Sequence, residues 1–417
     1  MSSSSEPADL TDPVDLVVVG GGPAGLATAI GARLAGLSVT VLDRARPLVD
    51  KACGEGLMPD AAAHLRTLGV ELAASDCYPF RGIRYIDGAV MAEGIFPRAT
   101  GLGVRRLALH QALVRRAEET GVRLAWGTKV TGLPPGPPYV GVETADGLVP
   151  ARWIVAADGL RSHLRQQAGL AGPAAPVRRF GVRRHFALAP WSDFVEVFWG
   201  PACEAYVTPV SPDQIGVALL WSGGPSDFET LLEHFPVLQN RLAGAAVTSR
   251  DRGAGPLHQR VRGVVRGNLA LVGDAAGYLD AITGEGLAVA FHEAAALVEV
   301  FSSLQEVSPL PAAGWAGDGR GAGGEGALAQ GNALGKGEGA LAAYAAAWRR
   351  INRLPNAMTS CMLFLERRPR LRARAIRALA AEPALFSRLL GIHARTLPPR
   401  KLGLDGALRL AWRLVTP

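Results

Sequence analysis

Val17-Val18-Val19-Gly20-Gly21-Gly22-Pro23-Ala24-Gly25 is the stretch that decides the fold class. Residues 14–20, apolar but for Asp15, carry the signature of a strand buried on both faces of a parallel sheet. Gly20 to Gly25 make a turn, Ala24 to Leu37 continue as an Ala/Leu/Gly helix, and Ser38 to Leu42 form a second strand ending at Asp43. This is a βαβ unit of roughly 30 residues. Gly20 permits the tight turn, Gly22 lets backbone approach a pyrophosphate, and Gly25 lets helix and strand pack closely. Pro23 and Ala24 open the helix, whose free N–H groups and dipole favour phosphate. Asp43 stands 23 residues after Gly20, with Arg44 beside it, where a carboxylate can accept hydrogen bonds from ribose hydroxyls. The fingerprint alone does not choose among dinucleotides.

Outward from this unit, Leu107–Thr120 has a helix pattern that ends at Gly121, followed by a strand near Val122–Trp126 and a proline loop at 134–138. A hairpin, Val140–Thr144 and Leu148–Val155, crosses Ala145-Asp146-Gly147. Phe194–Phe198 and Gln214–Leu219 read as strands of a second, mostly antiparallel sheet, with a Pro209…Pro212 turn between them. Residues 308–338, rich in Gly and Ala, offer too little apolar surface to offset chain entropy and read as a mobile linker. The expected organisation is α/β. A Rossmann-like dinucleotide-binding domain is drawn from 12–75, 100–172 and 260–306, and a β-sheet substrate domain from 76–99 and 173–259. A flexible Gly/Ala-rich linker at 307–338 precedes a basic helical C-terminal region at 339–417.

Two more glycine-centred segments follow in order. Ala157-Asp158-Gly159-Leu160-Arg161-Ser162-His163-Leu164-Arg165 lies in the middle; Leu271-Val272-Gly273-Asp274-Ala275-Ala276-Gly277 comes later, followed by Thr283-Gly284-Glu285-Gly286. With these three segments the chain resembles the flavoprotein superfamily of aromatic hydroxylases, geranylgeranyl reductases and flavin-dependent halogenases, over roughly residues 12–300. The resemblance implies FAD. It places Asp158 and Gly159 at the cofactor, Gly273 and Asp274 at the ribityl chain and pyrophosphate, and Arg106 against the phosphate or ribityl region. Asp274 follows an apolar strand, where its carboxylate can bind ribityl hydroxyls. Gly284 and Gly286 precede a helix whose N-terminus can face the flavin's carbonyl edge.

Asp50-Lys51-Ala52-Cys53-Gly54-Glu55-Gly56-Leu57 should run along the same cleft, and its Cys-Gly-Glu-Gly core is similar to geranylgeranyl-reductase-like proteins. Lys51, Cys53 and Glu55 are its candidate catalytic residues. Cys53 reads either as a redox or nucleophilic thiol or as a small thiol packed beside the isoalloxazine. His185, on the substrate sheet, is the one histidine put forward for a role. The third segment departs from the hydroxylase pattern: Gly277 stands where a histidine is usual, and Leu279-Asp280-Ala281 where prolines are usual.

Four scattered cysteines without CxxC spacing argue against a disulfide scaffold or a metal site, so no metal is expected. No apolar run reaches the ~18 residues of a spanning helix, and the expected location is cytoplasmic. The net charge of +7 is uneven: 15 basic residues against 3 acids between Tyr344 and Pro417 leave that segment at +12 and the remainder at −5. The arginines around Arg367–Arg377 imply either peripheral membrane contact or a solvated basic helix. Without interleaved aromatics they do not point to nucleic acid. With no second glycine fingerprint, NADH or NADPH would bind transiently. The leading expectation is an NAD(P)H-dependent monooxygenase that hydroxylates an aromatic or polyketide-like lipophilic substrate through a flavin hydroperoxide. The alternative is a geranylgeranyl-reductase-like enzyme acting on isoprenoid double bonds, and a third reading is a non-catalytic flavin-binding partner.

Overall fold

The computed structural model describes residues 10–174, 178–307 and 325–403. Five parallel strands form its first sheet in the order Leu269–Leu271, Gly147–Ala156, Val14–Val19, Val39–Asp43 and Arg123–Trp126. The fingerprint strand is central, which is why its residues alternate with nothing: Leu16, Val17 and Val18 are all fully buried. The helix Pro23–Leu34 packs on this sheet between the helices Arg106–Glu119 and Gly286–Val307. The hairpin strands Gly141–Thr144 and Gly147–Ala156 pair around Ala145-Asp146, and Val130–Gly132 extends them.

The second sheet runs Ala246–Val247, Arg179–Ala187, Gln214–Ser222, Cys203–Ser211, Phe194–Trp199, Gly82–Asp87, Val90–Ile95. It is antiparallel except where Phe194–Trp199 meets Gly82–Asp87. One detail corrects the sequence reading. Pro209 lies inside the strand Cys203–Ser211, not in a turn; the register slips between Pro209 and Ser211, and such a bulge tolerates a residue with no N–H to donate. A third, small sheet joins Gly56–Leu57 and Cys77–Phe80 to either side of Gly101–Val104.

Gly286–Leu304 is a second difference. Among the described residues it is the one helical stretch long and apolar enough to cross a membrane, where the sequence reading expected none. It is wedged between Pro23–Leu34 and the long helix Glu325–Glu366, with Phe291, Leu297 and Phe301 sealed from solvent. Its apolarity serves the core. Of the expected linker, 308–324 lie outside the described residues, and from Glu325 the backbone is helical.

The basic region divides by face. On the helix Pro369–Ala381, Arg372 turns inward to Asp87 at 3.1 Å and to the carbonyl of Gly200 at 3.3 Å, beneath the ring of Trp199. Arg367, Arg368, Arg370, Arg374 and Arg377 stay exposed. Residues 404–417 of this region lie outside the described residues.

A buried ion cluster ties the second sheet to the C-terminal helices. Arg179, 3% exposed, meets Glu204 at 2.7 Å, Asp280 at 2.9 Å and Glu366 at 3.4 Å. Three carboxylates share one guanidinium, and Oε1 of Glu204 and Oε2 of Glu366 have no hydrogen-bond partner. Burial pushes the Glu204 carboxyl up to about 7, against the pull of Arg179. An acid whose folded pKa lies above its unfolded value stabilises the fold most below the unfolded value, and that contribution is lost as pH rises through the folded one. Stability should therefore decline between about pH 4.5 and 7, and Glu204→Gln should flatten that decline. Urea midpoints measured across this range would show it; equal slopes in the two proteins would refute the assignment.

Candidate cofactor site

The glycine turn is fixed by contacts within the chain. Gly20 has φ 113°, and a Cβ there would sit 2.3 Å from the carbonyl oxygen of Ala157. A Cβ on Gly25 would lie 1.9 Å from the oxygen of Gly20, and one on Gly21 would strike Trp126 at 2.3 Å. Gly22 differs: a Cβ there would meet only the guanidinium of Arg106, at 3.7 Å. Its open side faces a cleft, as the approach of a pyrophosphate requires. Helix Pro23–Leu34 begins here without a side-chain cap, leaving its first N–H groups free for an anion.

Asp43 holds this loop from below. Its Oδ2 accepts the N–H of Gly21 at 2.7 Å and its Oδ1 that of Ala45 at 2.8 Å. The carboxylate expected to receive ribose hydroxyls thus already serves the loop backbone, with lone pairs to spare. Arg44 is exposed at the edge. His110, which the sequence gave no reason to choose, is fully buried and stands 2.8 Å from the carbonyl of Gly21. The N–H of Val49 approaches its other nitrogen at 3.4 Å. That assigns the proton to Nε2, which donates to Gly21; burial holds the ring below the usual imidazole range.

Across the cleft stand Arg106, Lys51 and Asp274. Arg106 is 9% exposed and its Nε has no partner in the chain. Burial pushes the Lys51 ammonium down, with Arg106 adding to the effect. Burial likewise pushes Asp274 up, against Arg106, Lys51 and Arg165. Yet Lys51 and Asp274 both remain open to solvent. Groups that water reaches while protein crowds them on most sides line a narrow cleft.

Three buried polar clamps shape that cleft. At Asp158, Oδ2 accepts the N–H groups of His163 at 2.8 Å and Leu164 at 3.3 Å, starting a short helix, while its Oδ1 has no partner among the described residues and Gly159 takes the left-handed turn at φ 82°. From that helix Arg165 reaches the carbonyls of Asp274 and Ala275, both at 3.1 Å, and so joins the second segment to the third. Glu293 accepts the N–H of Gly273 at 2.7 Å and the amide of Asn352 at 2.8 Å; burial raises it to about 8. Gly273 needs its positive φ of 64°.

The third clamp belongs to the Cys53 segment. Glu55 is 2% exposed with φ 60°. Its Oε1 accepts the backbone N–H of Arg106 at 2.8 Å, and its Oε2 pairs with Nε2 of His185 at 2.5 Å. Nδ1 of His185 meets Ser249 at 2.9 Å, and the neighbouring Arg183 pairs with Asp50. Glu55 and His185, both catalytic candidates from sequence, are thus brought together, but as a latch between the cleft and the substrate sheet. Cys53 is half-buried, and burial pushes its thiol up, so it stays protonated at neutral pH.

The loop ahead of the helix Gly286–Val307 closes the far end. Gly284 has φ 69°. Tyr206 donates to the carbonyl of Ile282 at 2.8 Å, and Nε2 of His393 donates to that of Thr283 at 3.1 Å. Tyr278 lies against Gly286, 3.3 Å from where its Cβ would be, and burial holds its phenol well above the ordinary range, with Cys53 among the groups acting on it. Tyr278 and Arg165 sit within or beside glycine segments, a signal that could have singled them out. Glu293 and His393 carry no such signal.

These residues fit FAD. Nη2 of Arg106 lies 3.7 Å from where a Cβ on Gly22 would be, and its Nε has no partner among the described residues, so the guanidinium can serve a diphosphate at the open side of Gly22, with Lys51 adding charge. Asp274 stands where ribityl hydroxyls would find an acceptor.

The chain is similar to known flavoproteins. A family model described as FAD binding domain matches residues 13–199. The chain is 31% identical over 299 residues to a menaquinone reductase of Mycobacterium tuberculosis, covering 66% of this chain and 73% of that one. It is 27% identical over 336 residues to an aurachin C monooxygenase/isomerase of Stigmatella aurantiaca, covering 72% and 82%. A flavoprotein/dehydrogenase from Cytophaga hutchinsonii shares the fold with a TM-score of 0.75 at 16% identity, over 97% of this chain and 98% of that one.

Gly22→Val should fold normally yet purify without flavin colour, because the added side chain occupies only the cleft. Gly25→Val should fail to fold. Circular dichroism and visible absorbance separate the outcomes, and a yellow Gly22→Val protein would refute the placement. For cysteine reactivity, the exposed Cys361 should be alkylated by iodoacetamide at neutral pH well before Cys53 or the buried Cys203, whose thiol burial pushes up to about 12. Mass spectrometry of peptides would detect the reverse order.

Proposed function

The chain belongs to the family of FAD-binding flavoprotein oxidoreductases, and from that premise we propose that it is an NAD(P)H-dependent reductase adding hydrogen across a double bond of a lipophilic, isoprenoid-like substrate. The observation that carries this reading is the placement of Cys53-Gly54-Glu55-Gly56. Its glutamate is locked between the backbone of Arg106 and His185 of the substrate sheet, so the segment lines the junction where cofactor and substrate meet. The likeness to a menaquinone reductase supports the same branch, as does Gly277 in the position where hydroxylases carry a histidine.

When bound, FAD supplies the redox chemistry, accepting a hydride from a nicotinamide donor and passing one to the substrate. The chain has three tasks. Gly22, the helix N-terminus and Arg106 hold the diphosphate. The buried clamps of Arg165, Glu293 and Glu55 fix the cleft walls, so that orientation is set before substrate arrives. A proton must also reach the carbon that receives no hydride, and Cys53 Sγ and Tyr278 Oη, both held protonated by burial, are the groups we assign to that step.

Monooxygenation is the second reading, favoured by the aurachin C relative, which this chain covers over 82% of its length. A flavoprotein without turnover is the third. The exposed arginines of Pro369–Ala381 suit contact with an anionic membrane surface, where a lipophilic substrate would reside.

The FAD-loaded protein, mixed with NADH or NADPH under argon and given a prenylated quinone, should bleach and then recover colour as the quinone gains hydrogen. Cys53→Ala with Tyr278→Phe should bleach normally but form product at least about a hundredfold more slowly, the lower range of a general-acid contribution. A product bearing oxygen formed only in air would favour the monooxygenase; failure to bleach with either nicotinamide would sink both enzyme readings.

A further inference from the structure

The helices Pro59–Thr67, Gly286–Val307 and Glu325–Glu366 border an open groove of about 420 Å³, lined by residues other than those of the cofactor cleft. Its walls divide by chemistry. Ala295, Ala296, Ile351 and Leu354 make an apolar side. The other side is cationic. Among the described residues Arg350 is exposed and forms no ion pair or hydrogen bond, and Arg395 commits one nitrogen to the carbonyl of Ile351 at 2.8 Å. One carboxylate, Glu299, lines the same groove and is exposed, and a second, Asp60, stands behind His292, where the imidazole occupies one of its oxygens.

An imidazole pair completes the polar wall. Nε2 of His292 donates to Asp60 at 2.9 Å, and Nδ1 of His292 lies 3.0 Å from Nε2 of His64. With His292 donating to the carboxylate, its Nδ1 must accept, so His64 donates from Nε2. That leaves Nδ1 of His64 as a basic atom without a partner, on a ring that lines the groove. Free guanidinium donors beside an apolar wall are complementary to an anion carrying an apolar body, and the accepting Nδ1 of His64 suits a head that keeps one hydroxyl, such as a phosphate monoester monoanion, over a bare carboxylate. Nothing in the flavin chemistry uses these groups.

We propose that this groove is a second binding site, for a small organic anion: a carboxylate or phosphate monoester attached to an aromatic or short aliphatic body. The head pairs with Arg350 and Arg395 beside His64, and the body lies on Ile351 and Leu354. Arg395 acts electrostatically on Glu285 as well as on His64, so occupancy would be felt at the Thr283–Gly286 loop.

The test uses the FAD-loaded full chain with isotope-labelled histidine. Benzoate and phenyl phosphate, which share a body and differ in head, are titrated while the ring signals of His64 and His292 are followed; benzyl alcohol is the neutral control. Both anions should shift these signals saturably, and the tighter of the two identifies the head. Benzyl alcohol should not shift them. Arg350→Gln, an exposed substitution, should keep the fold and weaken both anions at least about tenfold, the loss of one charge-assisted hydrogen bond. Ring signals unmoved by either anion would overturn the proposal, as would equal binding by Arg350→Gln or an equal response to benzyl alcohol.

Discussion

The carbonyl oxygen of Gly20 occupies the space that a side chain on residue 25 would need, 1.9 Å from its ideal Cβ. That contact forces the chain from strand to helix within a few residues and brings the helix N-terminus to the edge of the parallel sheet. The neighbouring strand is part of the same constraint, because a Cβ on Gly20 would lie 2.3 Å from the carbonyl oxygen of Ala157. Sheet order, helix direction and the position of the anion-binding N–H groups all follow from it. Gly22 is the exception among these glycines, since its free space faces a ligand instead of the chain.

Around this turn the site is held by buried charge. Arg165, Glu293 and Glu55 are each almost wholly inaccessible. Burial of a charge is costly unless it is paired or hydrogen-bonded, and each of these three is met chiefly by backbone groups of another segment. Arg165 meets carbonyls at residues 274 and 275, Glu293 the amide of Gly273, and Glu55 the amide of Arg106. The polar atoms therefore specify which loops sit together, while the apolar core supplies the bulk of the stabilisation.

The C-terminal helices take part in the same architecture. Asn352 holds the carboxylate that holds Gly273, His393 donates to Thr283, and Glu366 joins Asp280 at Arg179. Each contact lands on the third glycine segment or the loop after it. The substrate end of the cofactor site is thus shaped by a part of the chain distant in sequence, a natural place for relatives with one FAD-binding scaffold to diverge in chemistry.

The sequence by itself determined the βαβ unit, the hairpin, the two-sheet division and the three segments that converge on one cofactor. Those features rest on local rules: apolar runs, glycine turns and chain order. It also supplied Gly22, Arg106 and Asp274 as residues of one site, through the spacing of motifs. Only the tertiary structure decided what Asp43, Glu55, His185 and Asp158 do, because a carboxylate or imidazole serves whichever donor lies nearest, and those partners stand up to 130 residues away. The same holds for Pro209 inside a strand and for an apolar helix that is core instead of membrane span. Periodicity states how much apolar surface a segment has, and packing alone settles what covers it.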